Sequence, residues 1–192
     1  MANIISVRGF TPEIDPSCWL ADDADVIGRV HIGADCSIWF KSVIRGDVCK
    51  ITIGQKCNIQ DGAIIHGTYN KSETILKDRI SVGHGAILHG CQIESDVLVG
   101  MRSVIMDNAH VESNVIVAAG AVVLENQVLK SGYIYGGTPA KILKEIDPEK
   151  TQFHITRTAD AYMMYSGWFK DCLLYTSPSP RDRTRSRMPS SA

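Results

Sequence analysis

Three of the six histidines occur at positions where they could hold a metal ion. His66 and His89 each follow an aliphatic residue of a six-residue repeat by one position, whereas His84 follows one by two positions and so faces elsewhere. Zinc commonly binds three histidines and keeps a fourth position for water. Two imidazoles on successive coils about 4.8 Å apart could share one metal, and the third would then come from a neighbouring subunit. The spacing indicates a metal at a subunit interface, with solvated histidines as the alternative.

The elements that would position these histidines form a repeat with a period of six. Neither a helical period of 3.6 nor simple strand alternation sustains this spacing over a hundred residues. A short strand plus a turn takes six residues, and three such units make one eighteen-residue coil of a parallel β-helix whose aliphatic side chains stack inside. The predicted inward residues are Leu20, Val26, Ile32, Ile38, Ile44, Ile53, Ile59, Ile65, Val82, Leu88, Ile93, Val99, Ile105, Val111, Val117 and Val123.

The pattern predicts three segments. Residues 1–146 form the all-β domain, with a projecting loop at residues 67–78 where polar and turn-prone residues interrupt the repeat. Residues 147–171 form a helix, because Asp147 is a good N-cap and proline is favoured at the next position. The apolar stripe that would pack this helix along the β-helix wall is Phe153, Ile155, Tyr162, Met163, Tyr165, Trp168 and Phe169.

Residues 172–192 differ sharply from the rest in composition. From Thr176 onward they are rich in arginine, serine and proline and nearly devoid of apolar residues, which predicts disorder. The abrupt change and the lack of aromatic residues after Tyr175 indicate a non-native extension. A basic RNA-binding or phosphorylated tail is the alternative.

The overall composition excludes several classes of protein. The chain has 192 residues, 44% of them hydrophobic and 21% charged, with a net charge of −1. This balance predicts a globular protein without the basic field that a nucleic acid or an anionic membrane attracts. No apolar run approaches the ~18 residues of a membrane span. The six scattered cysteines, without a secretion signal, predict reduced thiols and a cytoplasmic location.

Seven motifs, spread over roughly residues 10–170, resemble those of the γ-class carbonic anhydrase family. They are Val43-Ile-Arg-Gly-Asp47, Asn58-Ile-Gln-Asp-Gly62, His66-Gly67, Val82-Gly-His84, Leu88-His-Gly-Cys91, Leu98-Val-Gly-Met101 and Gly136-Gly-Thr-Pro-Ala-Lys141. The resemblance is closest to the compact bacterial branch, often described as carbonic anhydrase-like or as hexapeptide transferases. It implies a left-handed parallel β-helix of hexapeptide repeats, with a C-terminal α-helix packed along it, that assembles as a homotrimer.

The resemblance also implies a set of site residues. The metal, Zn²⁺ with Fe²⁺ or Co²⁺ as alternatives, would bind His66 and His89 of one chain and His84 of the next. Arg45 and Asp47 resemble the pair that forms an ion pair across the trimer interface, where an exposed surface pair is the alternative. The remaining implied residues are Gln60, which would bond the metal-bound water or bicarbonate, Asp61 beside it, and Tyr162 near the metal.

The activity that the resemblance implies is reversible hydration of carbon dioxide to bicarbonate by a metal-bound hydroxide. Best-established active members carry acidic proton-shuttle residues where this chain has Val48 and Tyr69, so turnover is expected to be slow unless Glu73 substitutes. Two alternatives stay open. One is a hexapeptide acyltransferase or acyl-CoA thioesterase, and the other is a non-catalytic, metal-stabilised assembly module.

Overall fold

Each six-residue repeat forms a short strand that ends in a turn. In the computed structural model of the chain, the backbone is described for residues 2–173 and the side chains for residues 2–147 and 154–170. The strands are β1 (Asn3–Ile5), β2 (Glu13–Ile14), β3 (Trp19–Leu20), β4 (Asp25–Ile32), β5 (Ser37–Ile38), β6 (Val43–Ile53), β7 (Asn58–Ile59), β8 (Ile64–His66), β9 (Thr74–Leu76), β10 (Ser81–Val82), β11 (Ile87–His89), β12 (Gln92–Ile93), β13 (Val97–Val99), β14 (Val104–Ile105), β15 (His110–Val111), β16 (Val115–Val117), β17 (Val122–Val123), β18 (Val128–Leu129), β19 (Tyr133–Gly136) and β20 (Lys141–Glu145), and the helix is α1 (Pro148–Leu173).

The strands wind into a parallel β-solenoid with three faces. The first face continues from β6 through β8, β11, β14 and β17, and the second continues from β6 through β9, β12, β15 and β18. The third face contains β3, β5, β7, β10, β13, β16 and β19, with β20 antiparallel at its end. The long strands β4 and β6 span the corner between the first and second faces. The predicted all-β class, a parallel helix of hexapeptide repeats followed by an α-helix, is confirmed.

The predicted inward residues form the core. All of them except Leu20 are fully buried, and burying each aliphatic side chain contributes roughly 1.5–3 kcal/mol. Leu20 is half-buried because β3 is the edge strand of the third face. The residues stack in register from coil to coil, as Val99 does on Val117.

The prediction of a projecting loop over residues 67–78 is wrong for the second half of that range. Strand β9 lies within it and pairs with β6 on one side and β12 on the other. Leu76 is buried six residues before Val82, so the repeat already resumes there, and Thr74 is fully buried as well. The projecting segment is therefore residues 67–73, whose polar side chains hid the start of the next strand.

The C-terminal helix begins at Pro148, directly after the predicted N-cap. It packs against β5, β7 and β10 on the third face, where the Tyr162 ring meets Trp39 edge-on at 5.2 Å between centroids. The predicted stripe is wrong for Met163 and Trp168, which are exposed, whereas the Phe169 ring packs on Trp19. Phe153 of that stripe lies outside the described side chains. No helix in the described part of the chain is long and apolar enough to cross a membrane. From residue 174 onward, the predicted disordered tail lies outside the described residues.

The described cysteines are unpaired thiols, as predicted. They are Cys18, Cys36, Cys49, Cys57 and Cys91. Burial raises the pKa of Cys49 to about 11 and that of Cys91 to about 12, so neither is a thiolate near neutral pH.

Candidate metal centre

His66 and His89 lie opposite each other at the corner between the first and second faces. They end strands β8 and β11 and are register partners in the ladder. The coil from His66 to His89 has 23 residues, five more than the regular eighteen. The five extra residues are taken up by the projecting segment, so the two histidines keep the same phase. His66 Nδ1 and His89 Nε2 are 3.3 Å apart. We call these two residues the paired-histidine corner.

A carboxylate holds each imidazole of the paired-histidine corner from behind. His66 Nε2 lies 3.0 Å from Asp47 Oδ1, and His89 Nδ1 lies 3.0 Å from Asp107 Oδ2. A carboxylate only accepts hydrogen bonds, so these two ring nitrogens carry the protons. In neutral rings, the two remaining nitrogens then turn their lone pairs toward each other. Two facing lone pairs repel each other unless a proton or a metal ion lies between them.

The electrostatics of the corner favour a neutral His66 imidazole and an ionised Asp47 carboxylate. Burial lowers the pKa of His66, and the nearby Arg45 guanidinium lowers it further, against the opposing effect of Asp47. Burial alone would raise the pKa of Asp47, but hydrogen bonds from His66 and Arg45 outweigh it, and the pKa is lowered. These are the protonation states that a metal site requires of a histidine and its supporting carboxylate.

Buried polar residues fix Asp107 in turn. Burial would raise the pKa of Asp107, but hydrogen bonds from Ser72, Thr68 and His89 outweigh that effect and lower it. The Ser72 hydroxyl donates to Asp107 and accepts from the Thr68 amide at 3.1 Å. Gly90, at φ +64°, follows His89, and a Cβ there would collide with Ser72 and Asp107. The projecting segment therefore holds Asp107, and through it His89, by way of Ser72 and Thr68.

Asp107 and Ser72 were missed in the sequence. Asp107 is eighteen residues after His89, one coil further along the solenoid, and that spacing is the signal that could have identified it. Ser72 carried no comparable signal, because it lies in the segment where the repeat is interrupted.

The third histidine lies at a different corner, between the third and first faces. His84 Nδ1 is 2.8 Å from Asp61 Oδ2, so this nitrogen donates a hydrogen bond to the Asp61 carboxylate. The Tyr162 hydroxyl reaches from α1 to within 3.4 Å of His84 Nε2. Burial and the Asp61 charge raise the pKa of Tyr162 to about 12, so its hydroxyl stays protonated. We call Asp61, His84 and Tyr162 the single-histidine corner.

The two corners lie before and after strand β11. His84 is in the turn before the strand and His89 ends it, five positions later, a distance of up to about 16 Å along the chain. Among the described residues, no group of three or more histidine, cysteine or acidic side chains is arranged to hold a metal. One chain therefore places two of the predicted metal-binding histidines at one corner and the third at another.

The other predicted site residues lie apart from both histidine corners or pair within the chain. Gln60 is buried and donates a hydrogen bond to Asn58 at 2.9 Å. Arg45 forms an ion pair with Asp47 of the same chain, beside the paired-histidine corner. The predicted role of Gln60 at the metal-bound water and that of Arg45 and Asp47 at a trimer interface stay predictions.

Comparison with known proteins identifies the family. The family described as Bacterial transferase hexapeptide (six repeats) matches residues 90–125. A solved hexapeptide transferase family protein from Anaplasma phagocytophilum is 34% identical with a TM-score of 0.83, covering 87% of this chain and 98% of that one. Gamma carbonic anhydrase 1, mitochondrial, from Arabidopsis thaliana is 37% identical over 164 residues, or 83% of this chain. Carbonic anhydrase from Geobacillus kaustophilus is 46% identical over 143 residues, covering 74% of this chain and 78% of the relative. The chain belongs to the γ-class carbonic anhydrase family.

Membership of the γ-class carbonic anhydrase family implies a metal cofactor, and the paired-histidine corner suits one. The 3.3 Å between His66 Nδ1 and His89 Nε2 is close to the edge of a tetrahedron with bonds of about 2.0–2.1 Å, as in zinc–imidazole sites. Each ring also donates its other N–H to a carboxylate, which is the usual support of a metal-binding histidine. The chain spans 59% of the length of the Arabidopsis relative.

Proposed function

We propose that this protein catalyses the reversible hydration of carbon dioxide to bicarbonate as a metal-dependent homotrimer. The observation that carries the proposal is the pair of imidazole nitrogens facing each other at 3.3 Å in front of two carboxylates. The relative named carbonic anhydrase, at 46% identity, supports the same reaction. Zinc is the proposed metal, with ferrous iron or cobalt as alternatives. Free thiols support a cytoplasmic location.

The third ligand in this proposal is His84 from a neighbouring subunit. The two histidine corners of one chain are too far apart to share an ion, so a second copy of the chain must complete the site. Arg45 and Asp47 would lie at that interface, next to His66. Gln60 and Tyr162 would come with the single-histidine corner, since Tyr162 contacts His84 and Gln60 precedes Asp61.

The chain's own residues prepare all three imidazoles in the same way. Each ring donates a hydrogen bond from one nitrogen to an aspartate, which leaves the lone pair of the other nitrogen as the one that would bind the metal. The pairs are Asp47 with His66, Asp107 with His89 and Asp61 with His84. When bound, a zinc ion held by three neutral imidazoles supplies Lewis acidity that lowers the pKa of coordinated water toward ~7.

Removal of the proton from the site is the slow part of this proposal. Val48 and Tyr69, which stand where active members carry acids, line a cavity beside Asp47. Glu73 lines the same cavity and is the one exposed carboxylate there. We propose Glu73 as the substitute shuttle and turnover well below that of members with the full acidic set.

A second candidate is acyl transfer on the same solenoid. It is favoured by the match of residues 90–125 to the transferase hexapeptide family. An acyltransferase of this fold would use one histidine as a base and would keep its activity after metal removal. An assembly module would lose only trimer stability when the metal is removed.

The deciding experiment mixes two inactive variants of the full chain. His84→Ala and His89→Ala subunits are co-expressed with different tags, and carbon dioxide hydration by zinc-loaded protein is measured by stopped flow. In randomly mixed trimers, about a quarter of the sites combine an intact ligand pair with an intact His84. We therefore expect about a quarter of the wild-type rate, against none for either variant alone.

The matched control mixes His66→Ala with His89→Ala. Both substitutions remove a histidine of the ligand pair that one subunit supplies. No subunit then has an intact pair, so no complete site can form and no hydration is expected. Equal rates in the two mixtures would contradict a site shared between subunits. Full hydration activity of the single variants, or of chelated wild-type protein, would contradict the three-histidine metal site. No hydration above buffer by zinc-loaded wild-type protein would contradict the anhydrase proposal and leave acyl transfer as the next candidate.

A further inference from the structure

A cavity of about 500 Å³ opens where the chain departs from its six-residue repeat. Strand β4 pairs Gly28 with Gly46 and Val30 with Ile51, so Arg29 alone stands opposite the four residues 47–50 of β6. This bulge forms one wall of the cavity, and the projecting segment at residues 67–73 forms another. Departures from a regular strand often re-aim side chains at functional sites.

The cavity collects positive charge. Its charged lining residues are Arg8, Arg29, Asp47, Lys50, Lys71 and Glu73. Lys71 is paired with Glu125 at 2.9 Å, and Asp47 is engaged by the paired-histidine corner. Arg8, Arg29 and Lys50 form no ion pair with any residue in the described part of the chain, and Glu73 is the carboxylate left to oppose them. A chain with a net charge of −1 thus concentrates three unpaired cations in one groove.

Aromatic rings hold the two guanidinium groups at the rim. Arg8 Cζ lies 5.6 Å from the centre of the Tyr69 ring, and Arg29 Cζ lies 5.2 Å from the centre of the Phe10 ring. A guanidinium near an aromatic ring loses part of its freedom and keeps N–H donors available for a ligand. Lys50 is half-buried and also lines an adjoining cavity of about 280 Å³, together with Phe10 and Arg29.

A tight turn presents Arg8 to the cavity. Arg8 and Gly9 both have positive φ, at 54° and 81°, between the bridged residues Val7 and Phe10. The same left-handed conformation occurs at other turns, as at Lys56 and Arg79, so it fixes the path of the chain at Arg8 without marking a site by itself.

We propose that this groove binds a small molecule through a phosphate or diphosphate group. Arginine forks match phosphate oxygens, three cations suit a multivalent anion, and the volume lies in the range of small-molecule sites. The proposal concerns a ligand other than carbon dioxide, in the cavity where Glu73 is proposed as the proton shuttle, and its test measures binding and not hydration.

The test is isothermal titration calorimetry of zinc-loaded, full-length protein with inorganic pyrophosphate, inorganic phosphate and citrate. We expect pyrophosphate to bind most tightly and Arg29→Gln to weaken it at least tenfold. Arg29→Lys should give an intermediate affinity, because it keeps the charge and loses the fork. Lys144→Gln, which removes an exposed cation on β20 outside the cavity, is the matched control and should bind like the wild type.

A substitution at Glu73 should change the affinity for pyrophosphate in the opposite direction to Arg29→Gln. Glu73→Gln removes the opposing carboxylate and should tighten pyrophosphate binding severalfold. Binding by Arg29→Gln at wild-type affinity, or no binding by the wild type at all, would overturn the proposal. Citrate binding as tightly as pyrophosphate would overturn the assignment to phosphate. The melting temperature of each variant shows whether it is folded, and the Arg29→Lys and Glu73→Gln results stand even if Arg29→Gln is unstable.

Discussion

Replacing Asp107 with alanine probes how the metal site is built. The carboxylate of Asp107 accepts from His89 Nδ1 at 3.0 Å and is itself only 8% exposed, so bulk water cannot take its place. Without it, the His89 ring loses the contact that selects its tautomer and orientation. Outer carboxylates of this kind are worth 10–100-fold in metal affinity. We expect zinc to bind Asp107→Ala about 10–100-fold more weakly, or by about 1.4–2.7 kcal/mol.

The assay is a competition titration of zinc between the protein and a chromophoric chelator near neutral pH. Asp78→Ala is the control, because Asp78 accepts from the backbone amide of Gln55 at 2.8 Å and not from a histidine. Its zinc affinity should match the wild type. Ser72→Ala should fall between the two, since it loosens Asp107 without removing it.

Stability has to be separated from metal affinity in this series. Asp107→Ala leaves the buried Ser72 hydroxyl without its acceptor, which costs about 1–3 kcal/mol of unfolding free energy. Urea denaturation of the metal-free proteins measures that loss directly. Zinc affinity within twofold of the wild type, in a folded Asp107→Ala protein, would refute the reasoning about the paired-histidine corner.

Three other substitutions probe the packing, the single-histidine corner and a surface ion pair. Leu88→Ala removes a fully buried side chain and should lower the unfolding free energy by 2–5 kcal/mol in urea, whereas Leu143→Ala, 61% exposed, should change it by less than about 0.5. Equal effects would argue against the stacked core. Tyr162→Phe keeps the ring packed and should slow carbon dioxide hydration severalfold with little change in melting temperature; an unchanged rate would remove the hydroxyl from the site. The hydrogen bond from Lys130 lowers the pKa of Glu112, so the stabilisation by this ion pair is present at neutral pH and is lost as the pH falls through the folded-state pKa. The melting temperature of Glu112→Gln should therefore lie below that of the wild type at pH 7 and converge with it in acid, and a gap that persists in acid would contradict this.

The core and the paired histidines could be predicted because their information is local. Ile65 and Leu88 each precede a histidine by one position, and a buried aliphatic residue leaves the next side chain facing outward. The start of α1 at Pro148 was equally accessible, since a helix N-terminus depends on adjacent residues.

Two features could not be predicted from local sequence. They are the end of the projecting segment and the residues that support the paired histidines. Strand β9 was hidden because Thr74 is polar, yet its side chain is buried and its hydroxyl donates to the His66 carbonyl. Asp107 and Ser72 meet across 35 residues, so no local pattern pairs them.

Hydrophobic period and residue type were sufficient to predict the solenoid, its inward residues and the common phase of His66 and His89, because each coil repeats the same local rule. The tertiary structure decided where the irregular coils open a groove and which residues support the histidines. Insertions at residues 47–50 and 67–73 open the basic groove, and the corner between two faces holds Asp107 behind His89. His84 lies at a different corner from His89 because strand β11 runs straight between the two turns. The distance between these two histidines can be measured only in three dimensions.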